Sequence, residues 1–225
     1  VPELARAAAD SNTKEFARRF ISGVRLTALA TIPASLGMYV LAKPIVAMLL
    51  QHGNFSAAAT VNTARALAGL ALGLAGFSIY LFVLRGFYAH NDTRTPFFIN
   101  LFENALNIIF AILFVDKYDV LGLGLAFSIA YLISAVVALF ILQRKTSEIN
   151  APQILLSLLP IALSAAVMAV VVKILSQQIA GDKATAGLQA TSQVVVCVVV
   201  GALVYLVMIF ALRVRELREL TGKHD

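Results

Sequence analysis

Residues 97–115 form an apolar stretch that is long enough to cross a membrane and carries a row of four polar side chains. At about 100° per residue, the four positions fall within roughly 100° of arc on one face of a helix. Glu103 would lie roughly 9 Å inside a hydrocarbon core of about 30 Å, where a carboxylate costs about 3 kcal/mol. This face is therefore predicted to look into a helix bundle or a cavity. The row, which we call the polar stripe, consists of Asn100, Glu103, Asn104 and Asn107.

The polar stripe has two interpretations. Its side chains line a transport cavity or help to bind a coupling cation, or they hydrogen-bond to neighbouring helices, which is worth about 0.6 to 2 kcal/mol per contact. For the three asparagines both interpretations stay open. For Glu103 we favour a role in transport or cation binding, because packing alone rarely requires an ionisable group inside a membrane span.

The rest of the chain has the composition of an integral membrane protein. Hydrophobic residues make up 60% and charged residues 13%, against about 45 to 50% and about 25% in soluble domains. The net charge of +6 comes from basic residues that flank apolar stretches, so it indicates contact with anionic lipid headgroups and not with nucleic acid. We predict an all-α, polytopic bundle of six membrane-spanning helices, at about residues 26–50, 66–84, 97–115, 121–142, 154–175 and 194–212.

The polar segments between these spans divide the chain into five parts. Residues 1–25 are polar and basic, and Phe16, Phe20 and Val24 recur at every fourth position, which fits an amphipathic interfacial helix and equally an ordinary connector between helices. The opening residues contain no initiating Met and no signal-peptide pattern, so we expect a piece of a longer polypeptide. The predicted parts are a cytoplasmic connector (1–25), four helices of one lobe (26–142), a cytoplasmic loop (143–152), two C-terminal helices (153–212) and a basic cytoplasmic tail (213–225).

Basic residues also predict the orientation. With six spans and both ends in the cytoplasm, thirteen of the eighteen lysines and arginines fall on the cytoplasmic side, as the positive-inside rule requires. The inside set is Arg6, Lys14, Arg18, Arg19, Arg25, Arg85, Arg94, Arg144, Lys145, Arg213, Arg215, Arg218 and Lys223.

Several residues within or beside the spans have specific predicted roles. Two prolines, Pro33 and Pro44, are expected to kink the first span. Lys43 is expected to reach the headgroups, while Arg65, at the start of the second span, faces either the headgroups or the interior. Thr95 is predicted to cap the third span. Small residues that permit close helix packing recur at Gly69 and Gly73, and again at Gly122, Gly124, Ala126, Ser128 and Ala130.

The sequence lacks the residue patterns of an enzyme. The three histidines are scattered, and the spacings HExxH, CxxC, GxSxG and the P-loop do not occur. Cys197 lies in a run of valines, which favours a buried thiol. Transport or lipid handling is therefore the predicted class of function, with no enzymatic activity and no organic cofactor.

The connector before the third span carries the run GFYAHNDTRTP, in which Asp92, Thr93, Arg94, Thr95 and Pro96 are consecutive. This run resembles a connector of the MurJ/MviN family of lipid II flippases. Further stretches extend the resemblance: VPELARAA, LAKPIVAMLLQHGNFS, TARALAGLALGL and GLGLAFSIAYL. These stretches follow one another along the chain, and it is their order and spacing together that make the resemblance specific.

The resemblance implies a fold and a function. The fold would be that of the multidrug/oligosaccharidyl-lipid/polysaccharide exporter superfamily, with two lobes that alternate access to the two membrane faces. The first four spans would be the last four helices of the second lobe, and the other two would form a groove for a polyprenyl tail. The whole protein would move undecaprenyl-pyrophosphate-linked peptidoglycan precursor to the outer leaflet of the bacterial cytoplasmic membrane. The arginines for the pyrophosphate would lie upstream of this sequence.

The resemblance also implies a coupling cation, sodium or a proton. Family members have a sodium site on the helices that correspond to the third and fourth spans, which makes Glu103, Asn107 and Ser128 candidate ligands, with Arg65 a candidate for the cavity. The implied partners are membrane lipids, the N-terminal lobe of the same protein and cell-wall synthesis proteins. Two alternatives stay open at this point, a cation-coupled multidrug antiporter and a non-transporting membrane scaffold.

Overall fold

The computed structural model describes residues 13–51, 56–180 and 188–212, and within these ranges the chain is helical and contains no strand. Six of the helices are long and apolar enough to cross a membrane, which confirms the predicted helix bundle. The predictions for residues 1–12 and for the tail at 213–225 lie outside the described ranges. The helices are α1 (Thr13–Val40), α2 (Ala42–Leu50), α3 (Ala57–Ala89), α4 (Arg94–Tyr118), α5 (Val120–Lys145), α6 (Ala151–Ala180) and α7 (Leu188–Ala211).

The first predicted span differs in the structure at both of its ends. Helix α1 is described from Thr13 onward, so the described part of the predicted connector continues into the membrane span without a break. Phe16, Phe20 and Val24 are buried in the core that α1 shares with α3 and α5, because their four-residue spacing carries on the apolar face of the span. The helix ends at Val40, and the short helix α2 follows after Leu41.

Proline explains where this first span breaks. Pro33 lies inside α1 without ending it, whereas Pro44 is the third residue of α2. Pro44 has no backbone N–H to donate to the carbonyl of Val40, and its ring crowds that carbonyl, which kinks or breaks a helix. The chain therefore restarts at Leu41 and Ala42, and the backbone N–H of Ile45 donates to the carbonyl of Leu41 at 2.9 Å.

The connector between α3 and α4 caps α4 with an aspartate, so the prediction that Thr95 is the cap is wrong. The side chain of Asp92 accepts a hydrogen bond from the backbone N–H of Thr95 at 3.0 Å, three residues on. Thr95 lies inside the first turn, where its backbone N–H has no intrahelical acceptor. An aspartate carboxylate satisfies such a donor better than a threonine that already belongs to the helix.

Small residues bring α3 and α5 into close contact. A Cβ added to Gly124 would lie 2.7 Å from the backbone of Gly69, and one added to Gly73 would lie 2.7 Å from Oγ of Ser128. The hydrophobic effect does not draw helices together inside a membrane, so van der Waals packing at such close backbone contacts holds them together instead. The α3–α5 pair thus forms the centre of the bundle. Helix α1 packs on α3 and α6, α7 packs on α6, and α4 lies at the edge against α5.

Candidate functional site

Glu103 lies on the buried face of α4, which it shares with Pro96 and Ile99. The side chain is 2% exposed, and its Oε1 atom has no hydrogen-bond partner among the described residues. The structure describes no ion pair that involves it. A buried carboxylate without a counter-charge costs several kcal/mol. Glu103 therefore requires either a bound proton or a cation.

Two tyrosines, one on α3 and one on α5, lie near Glu103. Tyr80 and Tyr131 lie near enough to interact electrostatically with its carboxyl group. The rings of these two tyrosines pack edge to face with centroids 5.3 Å apart. Tyr131 also packs at a tilt against Phe127, with ring centroids 4.5 Å apart, and meets Phe77 edge on at 5.0 Å. The ionisable group of α4 thus faces an aromatic cluster.

The pairing of α4 with α5 sets Ser134 at about the same level of the bundle as Glu103. The helices are antiparallel: Gly122 contacts Phe114 at one end and Lys145 bonds to Thr95 at the other. Interpolation between these contacts puts Glu103 opposite the turn of α5 that carries Ser134. The hydroxyl of Ser134 is fully buried and is likewise without a partner among the described residues. Two buried polar side chains without a described partner thus lie at the same level of the bundle.

The three asparagines of the polar stripe are not buried with Glu103. Asn100 is exposed and accepts a hydrogen bond from the Tyr80 hydroxyl at 2.9 Å. Asn104 is exposed and donates to the backbone carbonyl of Asn100 at 2.8 Å. Asn107 is half-buried. Of the two predicted surroundings, the interior of the bundle holds for Glu103 and not for Asn100 and Asn104, because an arc of about 100° is wider than the contact that α4 makes with α5; that these two asparagines line a cavity stays a prediction.

Ser128 faces α3. Its buried hydroxyl donates to the backbone carbonyl of Gly69 at 2.6 Å and fits against Gly73. The donor of this side chain is therefore used in holding two helices together. The other predicted ligands, Glu103 and Asn107, lie one turn apart on α4. Within the described ranges, no three His, Cys, Asp or Glu side chains come together.

The family-motif connector is tied to the end of α5. The ammonium group of Lys145 donates to the carboxylate of Asp92 and, at 2.8 Å, to the hydroxyl of Thr95. These hydrogen bonds from Lys145 and Thr95 hold the pKa of Asp92 well below its usual range. Asn91 precedes them with φ of 56°, a conformation that asparagine tolerates. Of the remaining motif residues, Thr93 and Arg94 are exposed and Pro96 is buried.

An apolar groove of about 320 Å³ runs between α1, α2, α6 and α7. The hydroxyl of Tyr205 donates to the backbone carbonyl of Leu29 at 2.7 Å and so anchors α7 to α1 at its side. A Cβ on Gly37 would have Met168 at 3.9 Å as its nearest neighbour, which leaves space in the groove. Its lining includes Gly37, Met38, Leu41, Ile45, Met168, Val172, Cys197, Gly201 and Tyr205.

Arg65 lines a second cavity, of about 370 Å³, together with Lys43 and Lys173. From the sequence, Arg65 could face either the headgroups or the interior. In the structure its side chain is exposed and lines this cavity. The grouping of the three cations could not be read from the sequence, because each belongs to a different helix. The two tyrosines near Glu103 were missed for the same reason, although a tyrosine in the middle of an apolar span, such as Tyr80, is a usable signal.

Comparison with known proteins decides the family. The family model described as "Lipid II flippase MurJ" matches residues 1–185, which is most of the chain. The chain belongs to the MurJ family of lipid II flippases. With its six apolar helices, it is part of a multi-pass protein of the bacterial inner membrane. The family consists of transporters and not of catalysts.

Individual MurJ relatives match along much of the chain. The lipid II flippase MurJ of Thermosipho africanus (strain TCF52B) is 33% identical over 130 residues, which are 58% of this chain and 27% of that protein. The probable lipid II flippase MurJ of Thermotoga maritima is 26% identical over 196 residues, 86% of this chain and 38% of that protein. The chain thus matches well under half the length of these relatives.

A solved structure agrees with the sequence matches. "Lipid II flippase MurJ, inward closed conformation" superposes with a TM-score of 0.73 and 28% sequence identity. The match covers 95% of this chain and 42% of the solved chain. The arrangement of the helices described above is therefore that of a segment of a MurJ transporter.

Proposed function

We propose that this chain is the C-terminal part of a transporter that moves lipid II from the inner to the outer leaflet of the cytoplasmic membrane. The observation that carries the proposal is membership of the MurJ family over residues 1–185. Relatives named as lipid II flippases, and a structural match that covers 95% of the chain, support the same substrate. Both ends of this segment lie in the cytoplasm, as the distribution of basic residues favours.

The test uses the full-length protein that contains this chain, reconstituted in vesicles that carry lipid II on one side. We expect lipid II to appear on the opposite face, as measured with an enzyme or antibiotic that reaches only that face. The matching experiment in cells is depletion, which should lower the amount of lipid II in the outer leaflet. Vesicles in which lipid II stays on its original side, with correctly folded protein, would contradict the proposal.

The proposed coupling site is the carboxyl group of Glu103, with Asn107 one turn away on the same helix. Burial of Glu103 and the missing partner for its Oε1 atom support a role in taking up a proton or a sodium ion. A cation that arrives when the site opens and leaves when it closes would bias the two conformations, because an ion shifts an equilibrium only through its different affinity for the two states.

Glu103→Gln in the full-length protein tests this role. The amide keeps the size of the side chain but cannot bind a proton or carry a charge, so we expect lipid II translocation to lose its dependence on the cation gradient. Asp116→Asn is the matched control, because Asp116 is an exposed carboxylate on the same helix. Unchanged translocation and unchanged cation dependence in Glu103→Gln would remove Glu103 from the mechanism.

The apolar groove between α1, α2, α6 and α7 is proposed to hold the hydrocarbon tail of the substrate. Its lining is almost wholly apolar, and an isoprenoid chain requires such a surface. Gly37→Leu would place a larger side chain in the groove, since outside its own helix the only atom within 4 Å of an added Cβ is the terminal methyl group of Met168, at 3.9 Å, and no backbone atom lies that close. We expect slower translocation, whereas Ala166→Leu on the exposed face of α6 should leave the rate unchanged.

The open face of α4 is proposed to meet the N-terminal lobe. In the most apolar part of α4, only 11% of the residues are buried, against 44% in the corresponding parts of α3 and α5. Asn100 and Asn104 lie on this face, and polar side chains in a span face protein or water more readily than lipid. Cysteine pairs between α4 and the N-terminal lobe of the full-length protein should cross-link; a face that reacts only with lipid-soluble probes would contradict this assignment.

A further inference from the structure

Three basic side chains from three different helices converge on one cavity of about 370 Å³. They are Lys43 of α2, Arg65 of α3 and Lys173 of α6. The other described lining residues are apolar or tyrosine, and none of them is acidic. The volume lies in the range of small-ligand sites, about 300 to 1,000 Å³. The cavity therefore has the size and the charge of a site for an anion.

Nothing in the described part of the chain neutralises these three cations. None of them takes part in a described ion pair or side-chain hydrogen bond. Like charges that face one cavity repel each other, and a bound anion would relieve this repulsion. Lys117 differs from these three cations. It lies on α4 at the same end of the bundle but does not line the cavity, and its ammonium group lies 5.5 Å from the centre of the Tyr118 ring.

The cations lie at the depth of lipid headgroups. Helix α3 has 33 residues, about 50 Å in length, and so extends roughly 10 Å beyond each side of a hydrocarbon core of about 30 Å. Arg65 lies roughly 12 Å from the start of this helix, and Lys173 lies roughly 10 Å from the end of α6. Both positions are close to the boundary where the phosphate groups of lipids are found.

The cationic cavity also adjoins the apolar groove. Val172 lines the groove, and the next residue, Lys173, lines the cavity. At the break between α1 and α2, Leu41 faces the groove while Val40 and Ala42 face the cavity. A single amphiphilic molecule could therefore place a charged head in one space and a hydrocarbon chain in the other.

We propose that Lys43, Arg65 and Lys173 bind the phosphate group of a membrane lipid whose hydrocarbon chain enters the adjoining groove. The assignment of the site to the outer leaflet rests on the proposed function, which gives the orientation of this segment in the membrane. Three positive charges match a lipid-linked diphosphate better than a phosphodiester, which carries one negative charge. The site is thus suited to hold the diphosphate of a polyprenyl lipid on the outer side of the membrane.

The test measures lipid binding to the purified full-length protein in a neutral detergent by native mass spectrometry. The ligands are undecaprenyl pyrophosphate, phosphatidylglycerol, phosphatidylcholine and inorganic pyrophosphate. We expect the diphosphate lipid to bind most tightly. Each cation near a lipid surface contributes about fivefold in affinity, so the triple variant Lys43→Gln, Arg65→Gln, Lys173→Gln should bind roughly 100-fold more weakly.

Controls separate binding from folding and from transport. Lys117→Gln removes a cation at the same end of the bundle and should leave binding unchanged, and Lys43→Arg with Lys173→Arg should retain it. Thermal unfolding shows whether the triple variant is folded. Tighter binding of phosphatidylglycerol would support a lipid phosphate site but assign it to phospholipid. Equal binding of inorganic pyrophosphate, or a folded triple variant with undiminished lipid binding, would overturn the proposal whatever the translocation assay shows.

Discussion

The α3–α5 pair and the edge helix α4 are built from spans of similar hydrophobicity but pack in opposite ways. Between α3 and α5, glycines allow backbone to meet backbone, and Ser128 bonds across the contact. Helix α4 uses only one face, and large side chains such as Ile112 and Leu113 are 67% and 62% exposed. Because lipid is as apolar as leucine, hydrophobicity alone does not decide which helix becomes central. Small residues decide it.

The largest effect is expected at the α3–α5 contact. Gly124→Ala would place a Cβ 2.7 Å from backbone atoms of Gly69, which cannot rotate away. We expect a loss of about 3 kcal/mol in the free energy of unfolding, the upper end of the range for overpacking. Gly37→Ala is the matched control, since its nearest neighbour is 3.9 Å away. Equal thermal stability of the two variants in detergent would contradict the central role of this contact.

Substitutions on α4 should divide sharply by face. Ile99→Ala removes a side chain that is 3% exposed and packs in the core, so we expect a loss of about 2 kcal/mol. Ile112→Ala on the open face should change the stability of this segment by no more than about 0.5 kcal/mol. Chemical denaturation of both variants checks the difference; similar losses would mean that α4 is covered more evenly than the structure indicates.

The hydroxyl that bridges the central helices has a smaller expected contribution. Ser128→Ala removes the 2.6 Å hydrogen bond to the carbonyl of Gly69 but keeps the small volume that the contact needs. Bonds between helices in membranes contribute about 0.6 to 2 kcal/mol, so we expect a loss of about 1 kcal/mol. Ser192→Ala, at an exposed position on α7, is the control. A cation-dependent change in the stability of Ser128→Ala would instead point to Ser128 as a ligand.

The smallest effect is expected at the connector that leads into α4. Lys145→Gln removes the ion pair with Asp92, and exposed pairs contribute at most about 1 kcal/mol. Because the folded-state pKa of Asp92 is lowered, the pair stabilises the fold above the unfolded-state pKa of about 3.9 and loses this effect as the pH falls further. The difference in melting temperature between the two proteins should therefore shrink below about pH 4. A constant difference across this range would assign the effect to packing.

Most of the fold followed from the sequence, for reasons that particular residues illustrate. The six spans were predictable because each must bury its own backbone polar groups in a helix of about 20 residues. Glycine and serine spacing predicted that the second and fourth spans have faces for close packing, but not that these two faces meet each other as α3 and α5. The candidate site was only partly predictable: Glu103 is buried as an ionisable group in a span should be, but the companion asparagines Asn100 and Asn104 are not. Periodicity gives the face of a helix and not how much of that face a neighbour covers.

By itself, the sequence determined the class, the number of spans and the family, since these depend on local hydrophobicity and on motifs that are contiguous in the chain. Tertiary structure alone decided which side chains meet. It placed Glu103 against an aromatic cluster from two other helices, tied Asp92 to Lys145, and gathered Lys43, Arg65 and Lys173 around one cavity. Such groupings depend on helix crossings, and the crossings are set by contacts between residues that are far apart in the chain.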